Sequence, residues 1–149
     1  MVIASDVKKF GEVNRKLMGA LFKTYDMTQS PYNTNNFEDP FVDGGTVGLT
    51  IVNARLTSVD ERQNEFSSYI SLLVTWIDPR LSWNASAFGG LDHVYVKRGR
   101  RWFPDISPCD ASVSTSLADE FAQNVKVYSD GRAEFANSYT ITFICEMII

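Results

Sequence analysis

The chain has few of the residues from which catalytic and metal centres are usually built. Its 149 residues include one histidine, His93, and two cysteines, Cys109 and Cys145. The cysteines lie far apart, with no Cys-x-x-Cys and no neighbouring histidine, which excludes zinc and thioredoxin-type motifs. Any Ser-His-Asp or Cys-His pair would have to use His93, and no Gly-x-Ser-x-Gly elbow accompanies it. Glycine-rich phosphate loops are missing as well. Asp60–Glu61 and Asp119–Glu120 are adjacent carboxylates, and neighbours along a strand point to opposite faces, so neither pair makes an acid–base couple. The reading is a protein that is not an enzyme and uses no metal or cofactor.

Long apolar runs and excess positive charge are equally scarce. The most apolar stretch, Ile70–Ile77, is interrupted by Ser71 and Thr75 and falls well short of the roughly 20 residues that cross a bilayer as a helix. Fourteen Lys and Arg against 18 Asp and Glu give a net charge of −4, which argues against a partner bound through nucleic-acid phosphates. The first residues reach Lys8 and Lys9 before any long apolar core, so they do not read as a signal peptide. A composition 44% hydrophobic and 21% charged fits one ordinary globular domain over residues 1–149.

What is present is one helical pattern followed by strand patterns. Between Ser5 and Tyr25, Phe10, Val13, Leu17, Met18, Leu21 and Phe22 recur at three- and four-residue steps. Lys8, Lys9, Glu12, Arg15 and Lys16 fill the other face, which predicts an amphipathic helix with Asp6 in its first turn. Residues 26–40 are rich in turn formers and predict a loop. Val47, Leu49 and Ile51 alternate with Thr46, Gly48 and Thr50, the pattern of a half-buried strand. A second strand is expected from Glu65 to Asp78, ended by Pro79, which has no backbone donor. Leu91–Lys97 follows the Asn84–Gly90 turn region, with Val94 and Val96 on one face. Phe121–Tyr128 and Arg132–Ile149 then flank a Ser129-Asp130-Gly131 turn, a strong hairpin signal. Together these predict an all-β, immunoglobulin-like sandwich prefaced by one helix.

All three tryptophans sit in two short signatures. Trp76-Ile77-Asp78-Pro79-Arg80-Leu81-Ser82-Trp83, then Gly89-Gly90, then Trp102-Phe103-Pro104-Asp105 resemble the extracellular domain of the Cys-loop (pentameric) ligand-gated ion channels, and the nicotinic acetylcholine receptor branch most. Leu49-Thr50-Ile51 with Val59-Asp60-Glu61 resembles that family's first strand and its following turn. Asp130-Gly131, with Cys145 fourteen residues after the glycine, is similar to the approach to the first cysteine of the Cys-loop. Leu21 to Tyr25 looks like the end of the family's first helix, so the resemblance spans nearly the whole chain.

The resemblance implies an incomplete sandwich, cut just past Cys145 and lacking the domain's last strands. In the family the counterpart of Cys145 pairs with a cysteine a short loop later. No such residue is present, and both thiols are expected to be free. Trp76, Asp78, Trp83, Asp105 and Cys145 are assigned structural roles, since a buried indole fixes a core and short carboxylates hold turns. Ligand-binding candidates are Trp102, Cys109, Tyr69, Ser71, Lys126, Glu134 and Ala136. Cys109 stands where acetylcholine-binding members have a cage tyrosine, and Ser71 where they have a cage tryptophan on the complementary face. Two positions of a cage that holds a quaternary ammonium are therefore non-aromatic.

Glu61 and Arg62 inherit a coupling role toward the channel. Asn84-Ala85-Ser86 is an N-glycosylation sequon in a predicted loop. The basic run Lys97–Arg101 reads as a solvated turn. The function implied is the extracellular part of a pentameric neurotransmitter-gated channel subunit at the cell surface, on the extracellular side of the plasma membrane. Its ligand would be a small quaternary or primary amine, its partners homologous subunits, and its membrane contact would come only through a segment outside this chain. The alternatives are a secreted, acetylcholine-binding-protein-like buffer and an adhesive sandwich.

Overall fold

In the computed structural model, residues 2–32, 46–107, 111–116 and 123–144 are described. One helix, α1 (Val2–Leu21), precedes six strands: β1 (Gly48–Asp60), β2 (Glu65–Ile77), β3 (His93–Lys97), β4 (Ala111–Ser116), β5 (Asn124–Tyr128) and β6 (Arg132–Ile144). Three short 3-10 turns lie at Pro79–Leu81, Ala85–Phe88 and Arg98–Arg100. The class is all-β with one N-terminal helix, as the alternation predicts. Among the described residues no helix is long and apolar enough to cross a membrane.

The strands are antiparallel and hydrogen-bonded in the order β1-β2-β6-β5-β3, with β4 also on β6. β6 runs beside β2 along its whole length. Its other edge pairs first with β5 (Val127↔Ala133, Lys126↔Glu134) and further on with β4 (Ser116↔Tyr139 to Ala111↔Phe143). A strand that serves both layers of a β-sandwich is shared in this way.

The core lies on one face of β2, β6, β5 and β3. Val74, Trp76, Val94, Val96, Val125, Val127, Ala133 and Phe135 point inward at every second position, and Leu17 and Leu21 of α1 with Leu81 close over them. Burying each of the large aliphatic or phenyl side chains contributes about 2–3 kcal/mol.

β1 is longer than its strict alternation suggests. Leu49 and Ile51 share one parity, Ala54 and Leu56 the other, and Val59 returns to the first. Register shifts between Ile51 and Asn53 and between Leu56 and Ser58 absorb one residue each, so these side chains stay on one face although their spacing changes. That face is open: Leu49, Ile51, Leu56 and Val59 are at least half exposed.

The structure differs from the expectation in the helix limits, in Phe10 and in one further strand. The helix begins at Val2 and ends at Leu21, which puts Asp6 beyond its first turn. Phe10, predicted within the apolar stripe, is 57% exposed, because only the C-terminal half of α1 reaches the sheet. β4 was not expected at all: Ala111-Ser112-Val113-Ser114-Thr115-Ser116 has little apolar patterning and takes its conformation from pairing with β6.

Candidate functional site

The two tryptophan signatures meet at a buried carboxylate. Asp78 follows β2 directly and caps the Pro79–Leu81 turn, its Oδ1 accepting from the Arg80 backbone N–H at 3.2 Å. Arg80 folds back to donate Nε to Oδ1 and Nη2 to Oδ2, both at 2.8 Å, a bidentate pair on a fully buried acid. The Tyr25 hydroxyl donates to Oδ2 at 2.7 Å and accepts from the Trp102 backbone N–H at 2.9 Å. One phenol thus ties the segment after α1 to both signatures. Burial and the Asp78 bond push Tyr25 up to about 12, and the same carboxylate raises Arg80. Arg80 Nη1 also donates to the carbonyls of Asp26 and Gln29, at 3.2 and 3.0 Å, which holds the loop after the helix.

The β5–β6 turn locks onto the same loop. Asp78 N–H donates to the Gly131 carbonyl and Trp83 N–H to the Ser129 carbonyl, each at 2.9 Å. Gly131 has φ +88, and a Cβ there would stand 2.7 Å from the Asp78 carbonyl oxygen, so only glycine fits. Trp83, half-buried, donates its indole N–H to the Leu91 carbonyl at 2.8 Å. Trp76 is buried, with the rings of Trp102 and Phe103 edge-on to it at 6.4 and 5.3 Å. Asp105 is exposed, at the wall of a cleft of about 480 Å³ that the apolar strand face and Ile106 also line.

Tyr69, Ser71, Lys126, Glu134 and Ala136 come together on the opposite face of the sheet. Cross-strand partners share a face, and the register sets Tyr69 against Thr140, Ser71 against Ser138, Leu73 against Ala136, and Lys126 against Glu134. The inward neighbours Ala133, Phe135 and Asn137 are buried, which turns Glu134 and Ala136 outward. A hydroxyl chain crosses the middle: Tyr69 donates to Ser138 Oγ at 2.9 Å, and Ser138 donates to Ser71 Oγ at 3.2 Å. At the other end Tyr128 donates to Glu134 Oε2 at 2.9 Å.

Two rings of this face, Tyr69 and Tyr128, carry cations from their own chain, whereas Tyr95, opposite Lys126, is 60% exposed. The Arg55 guanidinium lies 4.7 Å from the Tyr69 ring centre, and Lys126 and Arg132 lie 4.6 and 4.1 Å from that of Tyr128. Hydrogen bonding to Tyr128 raises Lys126.

Trp102 does not join this face. It is half-buried against Trp76 and Tyr32, on the core side of the sheet. Cys109 and Cys145 lie outside the described residues. Glu61 and Arg62 are exposed in the turn between β1 and β2, where Asp60 Oδ1 accepts the N–H groups of Arg62 and Gln63 at 3.0 and 3.2 Å. Asn84 is exposed, and its Oδ1 accepts the Ser86 N–H at 3.0 Å. Sequence reasoning missed Tyr25, Arg55, Tyr128 and Ser138. Tyr128 alone carried a local signal, two positions from Lys126 on a strand and therefore on its face.

Comparison with known proteins matches residues 14–149 to the model of the neurotransmitter-gated ion-channel ligand binding domain. The chain belongs to this family. It is one of ligand-gated channels and not an enzyme class. Acetylcholine receptor subunit beta of Gallus gallus is 42% identical over 60 residues, 40% of this chain and 49% of that protein. Acetylcholine receptor subunit epsilon of Xenopus laevis is 28% identical over 116 residues, 78% of this chain and 22% of that protein. Ligand-gated ion channel 4 of Caenorhabditis briggsae is 30% identical over 91 residues, 61% of this chain and 14% of that protein. The chain therefore spans between about a seventh and a half of these relatives. Within this ligand binding domain, the Asp78 knot joins both tryptophan signatures and the sheet leaves a polar face outward.

Proposed function

We propose that this domain belongs to a subunit of a neurotransmitter-gated channel and acts on the extracellular side of the membrane, its ligand held between adjacent subunits of a pentamer. The carrying observation is that the ligand candidates divide: Tyr69, Ser71, Lys126, Glu134 and Ala136 face outward, whereas Trp102 packs on the core side. One chain does not gather them into one pocket, and a neighbour set against the outward face would supply the missing half. Ligand binding would then bias the pentamer between two quaternary arrangements, with Glu61 and Arg62, exposed at a hairpin tip, passing the bias to the channel. Asn84 would carry a glycan, its exposed Asx turn leaving room for a sugar.

The ligand fitting the outward face is a primary amine rather than a quaternary one. Tyr69 and Tyr128 are already capped by cations, Ser71 adds a hydroxyl, and Glu134 supplies an acceptor to an N–H donor. The test is amine-evoked current from the subunit assembled at a cell surface. Primary amines are expected to act at lower concentration than their quaternary analogues, and Glu134→Gln to raise the half-maximal concentration about tenfold. Equal potency of the two amine classes, unchanged by Glu134→Gln, would overturn the ligand assignment. Recovery of the domain only as a secreted protein that binds amines and passes no current would overturn the channel reading.

A further inference from the structure

The charge of this chain is divided unevenly. Residues 1–25 carry five Lys and Arg against two Asp and Glu, and the rest carry nine against sixteen. On α1, Lys8, Lys9, Arg15 and Lys16 fall within about 120° of arc at 100° per residue, opposite Leu17 and Leu21, which face the core, and Lys23 in the turn after the helix lines the same groove as Arg15 and Gly19. All five are exposed. The stripe is about 22 Å long. Among the described residues none of these five cations takes part in an ion pair.

Two shallow grooves run along the stripe and meet at Arg15 and Gly19, one bordered by Lys9 and Lys16, the other by Lys23 and Arg100. A Cβ on Gly19 would meet nothing within 4 Å, so the junction is an open notch. Arg100 comes from the basic run ahead of the second signature and reaches this place with its guanidinium 5.1 Å from the Phe22 ring centre. That run is dispersed in space: Arg101 turns into the core over Trp76, and Arg98 lies over Phe103.

The geometry points to this stripe as a binding surface for a sulfated polysaccharide. A protein partner would need a buried aromatic or aliphatic anchor, and a bilayer would need an apolar face beside the charges. The arc itself offers neither; its other members are Glu12 and Gly19, and the apolar residues that line the grooves, Val13, Met18 and Phe22, are half-buried. A linear polyanion, held by several exposed cations along a row, needs only charge and spacing. The extracellular reading enters solely in the choice of a glycan as the polyanion, and the binding assay below does not depend on amine response or current.

The test is calorimetric titration of the chain with a fully sulfated heparin oligosaccharide, with a desulfated one as control. Binding is expected for the sulfated form alone, weakening roughly a hundredfold between 50 and 200 mM salt if about four cations release counterions. Arg15→Gln/Lys16→Gln/Lys23→Gln should weaken it more than tenfold, and Arg15→Lys/Lys16→Arg/Lys23→Arg should restore it, with near-UV circular dichroism unchanged in both. Three results would each overturn the assignment: no salt-sensitive binding, binding indifferent to the triple Gln substitution, or stronger binding to polyglutamate or to anionic vesicles than to the glycan.

Discussion

Replacing Arg101 with methionine should make this protein more stable. The guanidinium is 1% exposed, and among the described residues its Nε, Nη1 and Nη2 have no hydrogen-bond partner. Its nearest ring contact is with the face of Trp76, 4.6 Å from the ring centre, with Phe103 further off at 6.0 Å. Burial pushes the group well down from its usual value, to about 9. That drop corresponds to a penalty of about 5 kcal/mol on the charged form, and a desolvated cation–π contact returns about 2 kcal/mol. Methionine keeps the apolar stem against Trp76 and removes both terms. The net gain is therefore about 3 kcal/mol, in line with other replacements of buried charge by apolar side chains. At this chain length it corresponds to a Tm higher by about 5–10 °C.

Urea unfolding followed by tryptophan fluorescence measures the gain, with an unchanged slope showing that the folded state is the same. A variant that lost more than 1 kcal/mol at pH 7 would refute the reasoning, because it would mean that Arg101 has an acceptor in solution.

Tyr25→Phe removes the donor to Asp78 and the acceptor of the Trp102 N–H, and should cost about 2 kcal/mol in the same assay. With its folded value raised to about 12, Tyr25 contributes stability that is fully present below pH 10 and lost as pH rises to 12. Discounted for its partial exposure the loss is about 1 kcal/mol, and a wild-type profile matching that of Tyr25→Phe over this range would count against it. Asp78→Asn leaves Arg80 without its bidentate partner and should cost about 3 kcal/mol, less than a fully buried pair because the Arg80 side chain is 31% exposed; a loss under 1 kcal/mol would show that the knot is not what joins the two signatures.

The parts of the fold legible in the sequence were those governed by local period. Val94 and Val96, or Ala133 and Phe135, alternate with outward residues, and the structure buries them as their spacing predicts. β1 was read only as far as Ile51, because each of its two bulges shifts the parity of the apolar positions and so disguises a single face as a broken pattern. Phe10 shows the converse: helical periodicity reports which side of a helix is apolar and says nothing of how far the partner surface extends. The candidate residues on β2, β5 and β6 share one face because register preserves parity. The partners of those residues were not legible. Arg55 reaches Tyr69 across a strand pair whose register depends on a bulge, and Tyr25 reaches Asp78 across 53 positions. No local pattern encodes contacts at that range.

The capped rings of the outward face bear directly on what it can bind. An exposed cation–π contact is worth only about 0.5–1 kcal/mol, so Arg55 and Arg132 hold Tyr69 and Tyr128 weakly as single contacts. They are nevertheless tethered, and a tethered cation competes as though present at millimolar concentration or above. A free quaternary ammonium, which has no N–H to donate, can gain nothing from these rings that the tethered cations do not already gain. A ligand with N–H donors has a further acceptor in Glu134, whose Oε2 accepts one bond from Tyr128 and keeps capacity for more. Removing a cap should therefore shift selectivity in a defined direction: with Arg55→Gln, the potency gap between primary and quaternary amines narrows because the Tyr69 face becomes free.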